Sequence, residues 1–396
     1  MSRIFVTGLG AISAIGNTLA QNRISLAAGK CGISTEMNLF PSKYAGVLPF
    51  GTVPISNETL QQTLNAYEHG VTRTSLLALH AFDEAIKDSG LTTEQLSGFD
   101  TALIGASTVG GMCLTDELYH DANKDDNGSP YLSSYDNASV TLYLQKRYNI
   151  NGMSNSINTA CSSSANTIMY GANLLKNGLA KRAIVGGADS LAKFTINGFN
   201  ALHILSPNIC RPFDELRSGL NLGEGAVFLV LEREEDVADK KIYAELTGYC
   251  NRNDAYHPSS LSDQGDGPFL AMKGALDTAS LTADKIDLIN AHGTGTENND
   301  LVESVAMIRL FDKPPAFASI KSNTGHTLGA AGAMGAICSI LSIMGQEIYP
   351  SLNFENAIAA TGLKPVDAYK KMPVQHVMSN SFGFGGNCSS LIFSKI

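Results

Sequence analysis

Short runs of small and β-branched apolar residues recur along the chain, at Ile4 to Thr7, Ala102 to Gly105, Ala183 to Gly186, Val227 to Leu231 and Ile286 to Asn290, and longer helical stretches separate them. Runs of this kind read as strands buried on both faces. Covering both faces requires helices on each side of the sheet, an α/β layering. At 396 residues the chain exceeds the usual size of a single core, which predicts two domains or one large duplicated unit. Its 38 glycines suit the many tight strand-to-helix turns of such a fold, and 44% hydrophobic against 16% charged residues argues against long disorder.

Local signals refine this outline. Arg73 to Ser89 carries Ala78, Leu79, Phe82, Ala85 and Ile86 at helical spacing, with Gly90 placed to cap the C-terminus. Asp121 to Asn137 is acidic and rich in Asn, Ser and Gly, and reads as a long surface loop without fixed structure. Glu232 to Lys241 is a charge run between two strands, the second at Ile242 to Gly248, and reads as a solvated crossover at a boundary. Across that boundary a faint repeat appears. Asn158-Thr159-Ala160-Cys161 and Asn323-Thr324-Gly325-His326 each precede a helix of small and apolar residues. If the repeat is real, two similar halves present Cys161 and His326 to one cleft.

Several function classes are disfavoured. Lys plus Arg total 28 and Asp plus Glu 37, a net charge of −9, which opposes general binding to nucleic acid or anionic membranes. Seven irregularly spaced cysteines describe neither a disulfide framework nor a metal site, so the cytoplasm is the expected compartment. Met1 to Gly10 reads as a strand and a glycine turn rather than a secretion signal, and no apolar run is expected to span a membrane. No metal or organic cofactor is expected, because the histidines lack ligand spacing and no phosphate-binding glycine fingerprint follows a strand.

Cys161 stands where Ser162 to Leu179 begins as a helix, with Ala165, Ile168, Met169, Ala172, Leu175 and Leu179 on one face. Free amides at a helix start favour an anion by about 0.3 to 1 kcal/mol, which enriches thiolate. The bland alternative is a small core residue, the reading kept for the other six cysteines. His292 follows a strand and enters Gly293-Thr294-Gly295-Thr296, whose glycines let backbone pass close to a substrate. His326 has Lys321 nearby in sequence, although either histidine by itself suits a structural role. The loop Ser381 to Asn387, before the strand Ser389 to Phe393, can direct backbone N–H groups at an oxyanion or serve as a turn.

Together, Asn158 to Ser164, Asn290 to Thr296, Lys321 to His326 and Asn380 to Gly386 resemble the β-ketoacyl synthase family, in its order and spacing. Val6 to Gly10, Cys210 to Asp214 and Leu222 to Ala226 extend the similarity over nearly the whole chain. The resemblance is greatest to the synthase II type that acts on acyl-carrier-protein thioesters, and to its polyketide relatives. It implies a duplicated thiolase fold of five αβαβα layers, with residues 1–240 carrying Cys161 and residues 241–396 carrying His292 and His326. It also implies a two-fold dimer, with itself or with a related subunit, and an acyl carrier protein as partner.

By motif match, Cys161 takes the acyl group as a thioester, and His292 and His326 donate hydrogen bonds to a malonyl thioester as it decarboxylates. The N–H groups of Cys161 and Phe384 form the oxyanion hole, and Phe384 is also the gate of the acyl pocket. Lys321 supports the surroundings of the second histidine, and Glu303 is a supporting glutamate. Val109 and Phe199 line the acyl pocket, where Val109 in place of Ile makes room for medium, long or polyene chains. Arg73 and His203 are the candidates for docking the acidic carrier.

The chain departs from the family at three places. Asn387-Cys388 replaces Thr-Asn after the glycine pair, Tyr67-Glu68-His69 stands where many relatives carry Lys or Arg, and Asp121 to Asn137 lacks an apolar pattern. The main rival is a non-catalytic chain-length-factor-like subunit, which usually lacks the cysteine that this chain keeps. A degradative thiolase would use a second cysteine where Asn380 to Gly386 stands, and a cysteine protease needs neither two histidines nor Lys321.

Overall fold

The computed structural model describes residues 2–124, 128–237 and 239–396. Ten strands form one continuous sheet built from two five-stranded units. The first unit holds β1 (Ile4–Ser13), β2 (Thr101–Ala106), β3 (Ser154–Ile157), β4 (Arg182–Asp189) and β5 (Gly225–Arg233). The second holds β6 (Ala244–Asn253), β7 (Leu288–Asn290), β8 (Ala316–Ala318), β9 (His376–Gly383) and β10 (Asn387–Ser394). Their spatial orders are β3-β2-β4-β5-β1 and β8-β7-β9-β10-β6. In both units the first three strands of that order run parallel and the remaining pairs antiparallel. The units meet where Phe5 and Val6 pair with Glu245 and Ala244.

Strand alternation sorts the side chains into layers. In β2, Ala102 and Ile104 face a central core while Leu103 joins an outer one. The outer core packs against α1 (Arg73–Ser89), the helix expected from the sequence, capped by Thr72 at its start and by left-handed Gly90 at its end. The central core holds α2 (Ser163–Lys176) and α5 (Ala331–Gly345), packed on each other between the two sheet units. On the far side Met272, Ala275 and Leu276 of α3 (Asp266–Ala279) cover Ile289, Met378 and Ile392, and α4 (Glu297–Leu310) packs against α3. The result is the expected five-layered αβαβα order.

Four expectations need correction. Residues 328–345 are apolar enough to cross a membrane by length and composition, with a mean hydropathy of 1.7, yet 83% of this segment is buried as the central helix. Glu232 is fully buried rather than solvated, accepting from Thr7 Oγ1 at 2.6 Å and Lys240 Nζ at 2.9 Å. The stretch read as an unstructured loop contains the end of a helix, Thr115–Lys124, and a helical turn at Leu132–Ser134, while residues 125–127 lie outside the described ones. The helix after Cys161 ends at Lys176, and Leu179 is exposed beyond it.

Candidate active site

Equivalent strands position the two repeat motifs. Cys161 lies between β3 and α2, and His326 lies between β8 and α5, so each follows the third strand of its unit and precedes a central helix. The residue before each has positive φ: +53° at Ala160 and +74° at Gly325. An alanine in this conformation needs local support. Ser163 supplies it, its Oγ donating to Ala160 O at 2.6 Å and accepting from Thr159 N at 2.9 Å. Gly325 lies so close to the backbone of Leu222 and Gly223 that a Cβ would stand 2.9 Å from Leu222 O. That contact accounts for the motif Leu222 to Ala226, which runs beside His326 and bonds it on both sides, through Asn221 O to His326 N at 2.7 Å and Gly223 N to His326 O at 2.9 Å.

The sulfur of Cys161 and ring nitrogens of His292 and His326 all lie within 4.8 Å of one another, and all three residues are buried. The imidazoles meet edge to face at 5.6 Å between centroids. His326 Nδ1 accepts the Leu328 N–H at 3.0 Å, which leaves Nε2 to carry the proton, and Nε2 has no partner among the described residues. His292 Nδ1 faces Lys321 Nζ at 3.3 Å, and that ammonium also donates to the His292 carbonyl. The Lys321 ammonium thus contacts the first histidine, while its backbone carbonyl accepts from Gly325 N at 2.9 Å, beside the second. Burial, and then the Lys321 charge, holds both imidazoles well below 6.5, so each is neutral at working pH.

A metal would need lone pairs on those same ring nitrogens, but each Nδ1 faces a hydrogen-bond donor and each outward Nε2 carries the proton. The histidines thus present N–H groups to the cavity, an arrangement suited to an oxyanion and not to a cation.

Glu303 accepts from His292 N and Gly293 N, each at 2.9 Å, and from Asn380 Nδ2 at 3.1 Å. Burial pushes its carboxyl up to about 7 despite these donors. Asp300, unremarked in the sequence, holds the same loop through the N–H groups of Phe213, Thr294 and Gly295. The thiol also differs from expectation. Burial pushes Cys161 up to about 11, against the pull of Lys321 and the backbone N–H groups of Phe384 and Cys161. Desolvation outweighs the helix start, and the resting group is a thiol.

A cavity of about 400 Å³ opens onto this cluster, lined by Cys161, His292, His326, Phe382, Phe384, Phe199 and Leu220 among others. Thr294 and Thr296, from the glycine turn after His292, add polar walls, as do Ser259 and Ser260, which carry no mark in the sequence. Phe384 and Phe199 stack with centroids 5.7 Å apart and planes within 16°. Val109 is fully buried in an apolar cluster with Leu191, Ile196, Leu220 and Leu328, against which Phe199 packs, and it does not line the open cavity. Asn387, where the family carries Thr, accepts at one oxygen from Ser162 Oγ, Asn166 Nδ2 and Asn251 Nδ2 at 2.6–2.9 Å, tying the glycine loop to the residue after Cys161.

Of the two docking candidates, His203 is exposed and lines the cavity. Arg73 does not fit: it is 8% exposed and its guanidinium is spent on buried Glu224 and on the carbonyls of Val53 and Ile55. A charged residue at a helix start reads as solvated, and its partner lies 151 positions away.

A duplicated α/β unit with a cysteine and two N–H-donating histidines at the junction of its halves defines a thiolase-fold acyltransferase. The profile described as "Beta-ketoacyl synthase, N-terminal domain" matches residues 1–237, and that of the C-terminal domain matches residues 243–355. The chain belongs to the β-ketoacyl synthase family. It is 36% identical to 3-oxoacyl-[acyl-carrier-protein] synthase 1 of Haemophilus influenzae and 32% identical to a putative mitochondrial synthase of that name from Schizosaccharomyces pombe, each match covering 100% of this chain and 99% of the relative. Among solved structures, the ishigamide ketosynthase/chain length factor matches with TM-score 0.92 and 29% identity over 100% of this chain and 99% of that one. The ketosynthase ApeO in complex with its chain length factor ApeC from Xenorhabdus doucetiae matches at 0.87 and 28%, over 100% and 98%.

Proposed function

We propose that this protein is a β-ketoacyl-acyl-carrier-protein synthase that condenses an acyl group held on Cys161 with a malonyl carrier thioester. The observation that carries the reading is the convergence of one thiol and two Nε2–H donors on one cavity. In the first half-reaction Cys161 Sγ attacks the acyl thioester, its proton passes to the departing carrier thiolate, and the N–H groups of Cys161 and Phe384 hold the tetrahedral oxyanion. In the second, the malonyl thioester loses carbon dioxide while His292 and His326 donate to its carbonyl oxygen as enolate charge develops. The enolate carbon then attacks the acyl-Cys161 carbonyl, and the thiolate leaves. The product is a 3-oxoacyl thioester two carbons longer.

Phe384 is read as the gate, because its stack with Phe199 stands against the apolar cluster that contains Val109. Rotation of Phe384 would open that cluster to a medium, long or polyene chain. Exposed His203 at the cavity is the docking contact we retain for an acidic carrier. The partners proposed are an acyl carrier protein and a second subunit, identical or related, with the enzyme in the cytoplasm, in fatty acid or polyketide synthesis. The presence of Cys161, His292 and His326 favours catalysis over a chain-length-factor role.

Intact-protein mass after incubation with acyl carrier thioesters tests the reading. Acylation of the parent, its loss in Cys161→Ala, and an elongated carrier product on adding malonyl carrier protein are expected. No acylation of the parent, alone or with a related subunit, would refute it.

A further inference from the structure

Asp189 is the last residue of β4 and is fully buried. Its carboxylate accepts from donors in two separate segments. From the turn after β2 come Ser107 Oγ at 2.7 Å, Thr108 N at 3.0 Å, Thr108 Oγ1 at 2.6 Å and Val109 N at 2.9 Å. From the turn after His326 comes Gly329 N at 2.7 Å. An ionised carboxylate offers about four acceptor sites and no donor, so this set suits the charged form. Gly329 sits against Asp189 so closely that a Cβ there would stand 2.8 Å from Asp189 Oδ2 and 3.2 Å from Thr108 N.

The residue between His326 and this clamp is the informative one. The Leu328 N–H fixes the His326 tautomer, while its side chain packs in the same apolar cluster as Val109. Its φ of +52° is one that leucine rarely adopts, so the turn is held from outside. Asp189 is what holds it, and the same carboxylate holds Val109. We propose that Asp189 is a positioning residue that sets the wall of the acyl cavity and the orientation of His326 together, so that the chain lodged against Val109 and Leu328 influences the decarboxylation step. The proposal rests on the condensing reading given above and names a residue for which the motif match supplies no role.

The test separates the two half-reactions. In Asp189→Asn an amide N–H must face some of the same donors, so the turn at Leu328 to Ala330 loosens. Loss of the Asp189 charge removes one influence against the Cys161 thiolate, so the variant is expected to show no fall in acylation by a two-carbon group; with Cys161 pre-acylated by a two-carbon or a long-chain group, malonyl decarboxylation falls about tenfold or more. In the parent, decarboxylation should differ between the two chain lengths, and in the variant that difference should disappear; no difference in the parent would overturn the proposal as well. Equal losses in both half-reactions, or an unchanged chain-length difference, would overturn the proposal.

Should Asp189→Asn not fold, Thr108→Val serves instead, because it removes one donor from the Val109 side and keeps the bond to Gly329. Expected there is altered chain-length preference with a decarboxylation rate on a two-carbon acyl enzyme within about twofold of the parent; unaltered preference overturns the proposal. Failure of the parent to acylate would instead count against the condensing reading, so the two failures are distinguishable.

Discussion

Replacing Lys321 by Met keeps most of the length of the side chain and deletes a buried charge on which three groups depend. Lys321 is 8% exposed, touches His292 through both the carbonyl and Nδ1, and is the largest influence favouring the Cys161 thiolate. A cation favours the charged form of a thiol, so its loss raises a thiol pKa that burial has already placed at about 11. Nearby opposite charges change a pKa by about one to three. Taking the low end, acylation at fixed pH falls about tenfold and the rising limb of its pH profile moves up by about one pH unit. Decarboxylation should fall further, about a hundredfold, because His292 loses the donor that fixes its tautomer. Stability changes with a definite sign. The Glu303 carboxyl titrates higher folded than its ordinary 4.5, at about 7, so its ionisation opposes folding as pH rises through that window. Without the lysine its pKa rises further, and the drop in melting temperature relative to the parent should be larger at about pH 8 than at about pH 6. Rapid-quench mass measurements of acylation over about pH 6 to 9.5 provide the assay. An unmoved acylation profile in a folded variant would refute the assignment of Lys321 as the charge that supports the thiolate.

Arg73→Met should leave Glu224 buried without its partner and cost about 3 to 5 kcal/mol in denaturant unfolding, while the KM for carrier protein in the surviving folded fraction stays unchanged; a raised KM with full stability would restore a docking role. Because burial holds both histidines neutral well below 6.5, decarboxylation by pre-acylated enzyme should be flat from about pH 6 to 8, and a limb with a midpoint near about 6.5 would contradict the neutral-donor arrangement. The same depressed pKa values mean that the unfolded chain binds more protons in acid at these two sites, so their contribution to unfolding free energy falls as pH drops below about 6.5, opposite in sign to that of Glu303, and His326→Asn should make the variant's loss of stability relative to the parent smaller in acid than at neutral pH. Gly332→Val should lower the melting temperature and slow both half-reactions, since even a Cβ at Gly332 would stand 2.5 Å from Ala165 N in the facing central helix.

What the sequence disclosed followed from period and punctuation. Buried strands declare themselves through runs such as Ala183 to Gly186, and the helix Arg73–Ser89 through its apolar spacing and Gly90. Two four-residue motifs matched across the chain point to Cys161 and His326, and the trio with His292 is legible through the resemblance of all four motifs to the β-ketoacyl synthase family. Charged residues escape a sequence reading wherever a distant partner removes them from water, as with Arg73 and Glu224 or Glu232 and Thr7. The thiol was misjudged for a related reason: a helix start is visible in sequence, whereas the burial that outweighs it depends on packing of both halves. Asp189 did leave a signal, a lone carboxylate closing an apolar strand, and buried charge at a strand's carboxyl end deserved a functional reading.

The duplication explains why one cysteine and one histidine suffice from each central helix start. Two units with the same strand order bring equivalent helices together in the middle layer, where Ala333 N donates to Ser164 Oγ at 2.8 Å. The motif residues before those helices then point into one space by symmetry, with positive φ before each turning the reactive side chain toward it. Divergence does the remainder. The first unit keeps a side chain at Ala160 and supports it with Ser163, so the thiol sits with backbone N–H groups available for an oxyanion. The second has Gly325 packed against Leu222 and Gly223, and spends the following N–H groups on His326 Nδ1 and Asp189. On the proposed reading, one turn therefore makes a nucleophile and the other makes a hydrogen-bond donor. His292, from the loop after the neighbouring strand β7 of the same unit, completes the histidine pair, and the first unit brings the thiol to it.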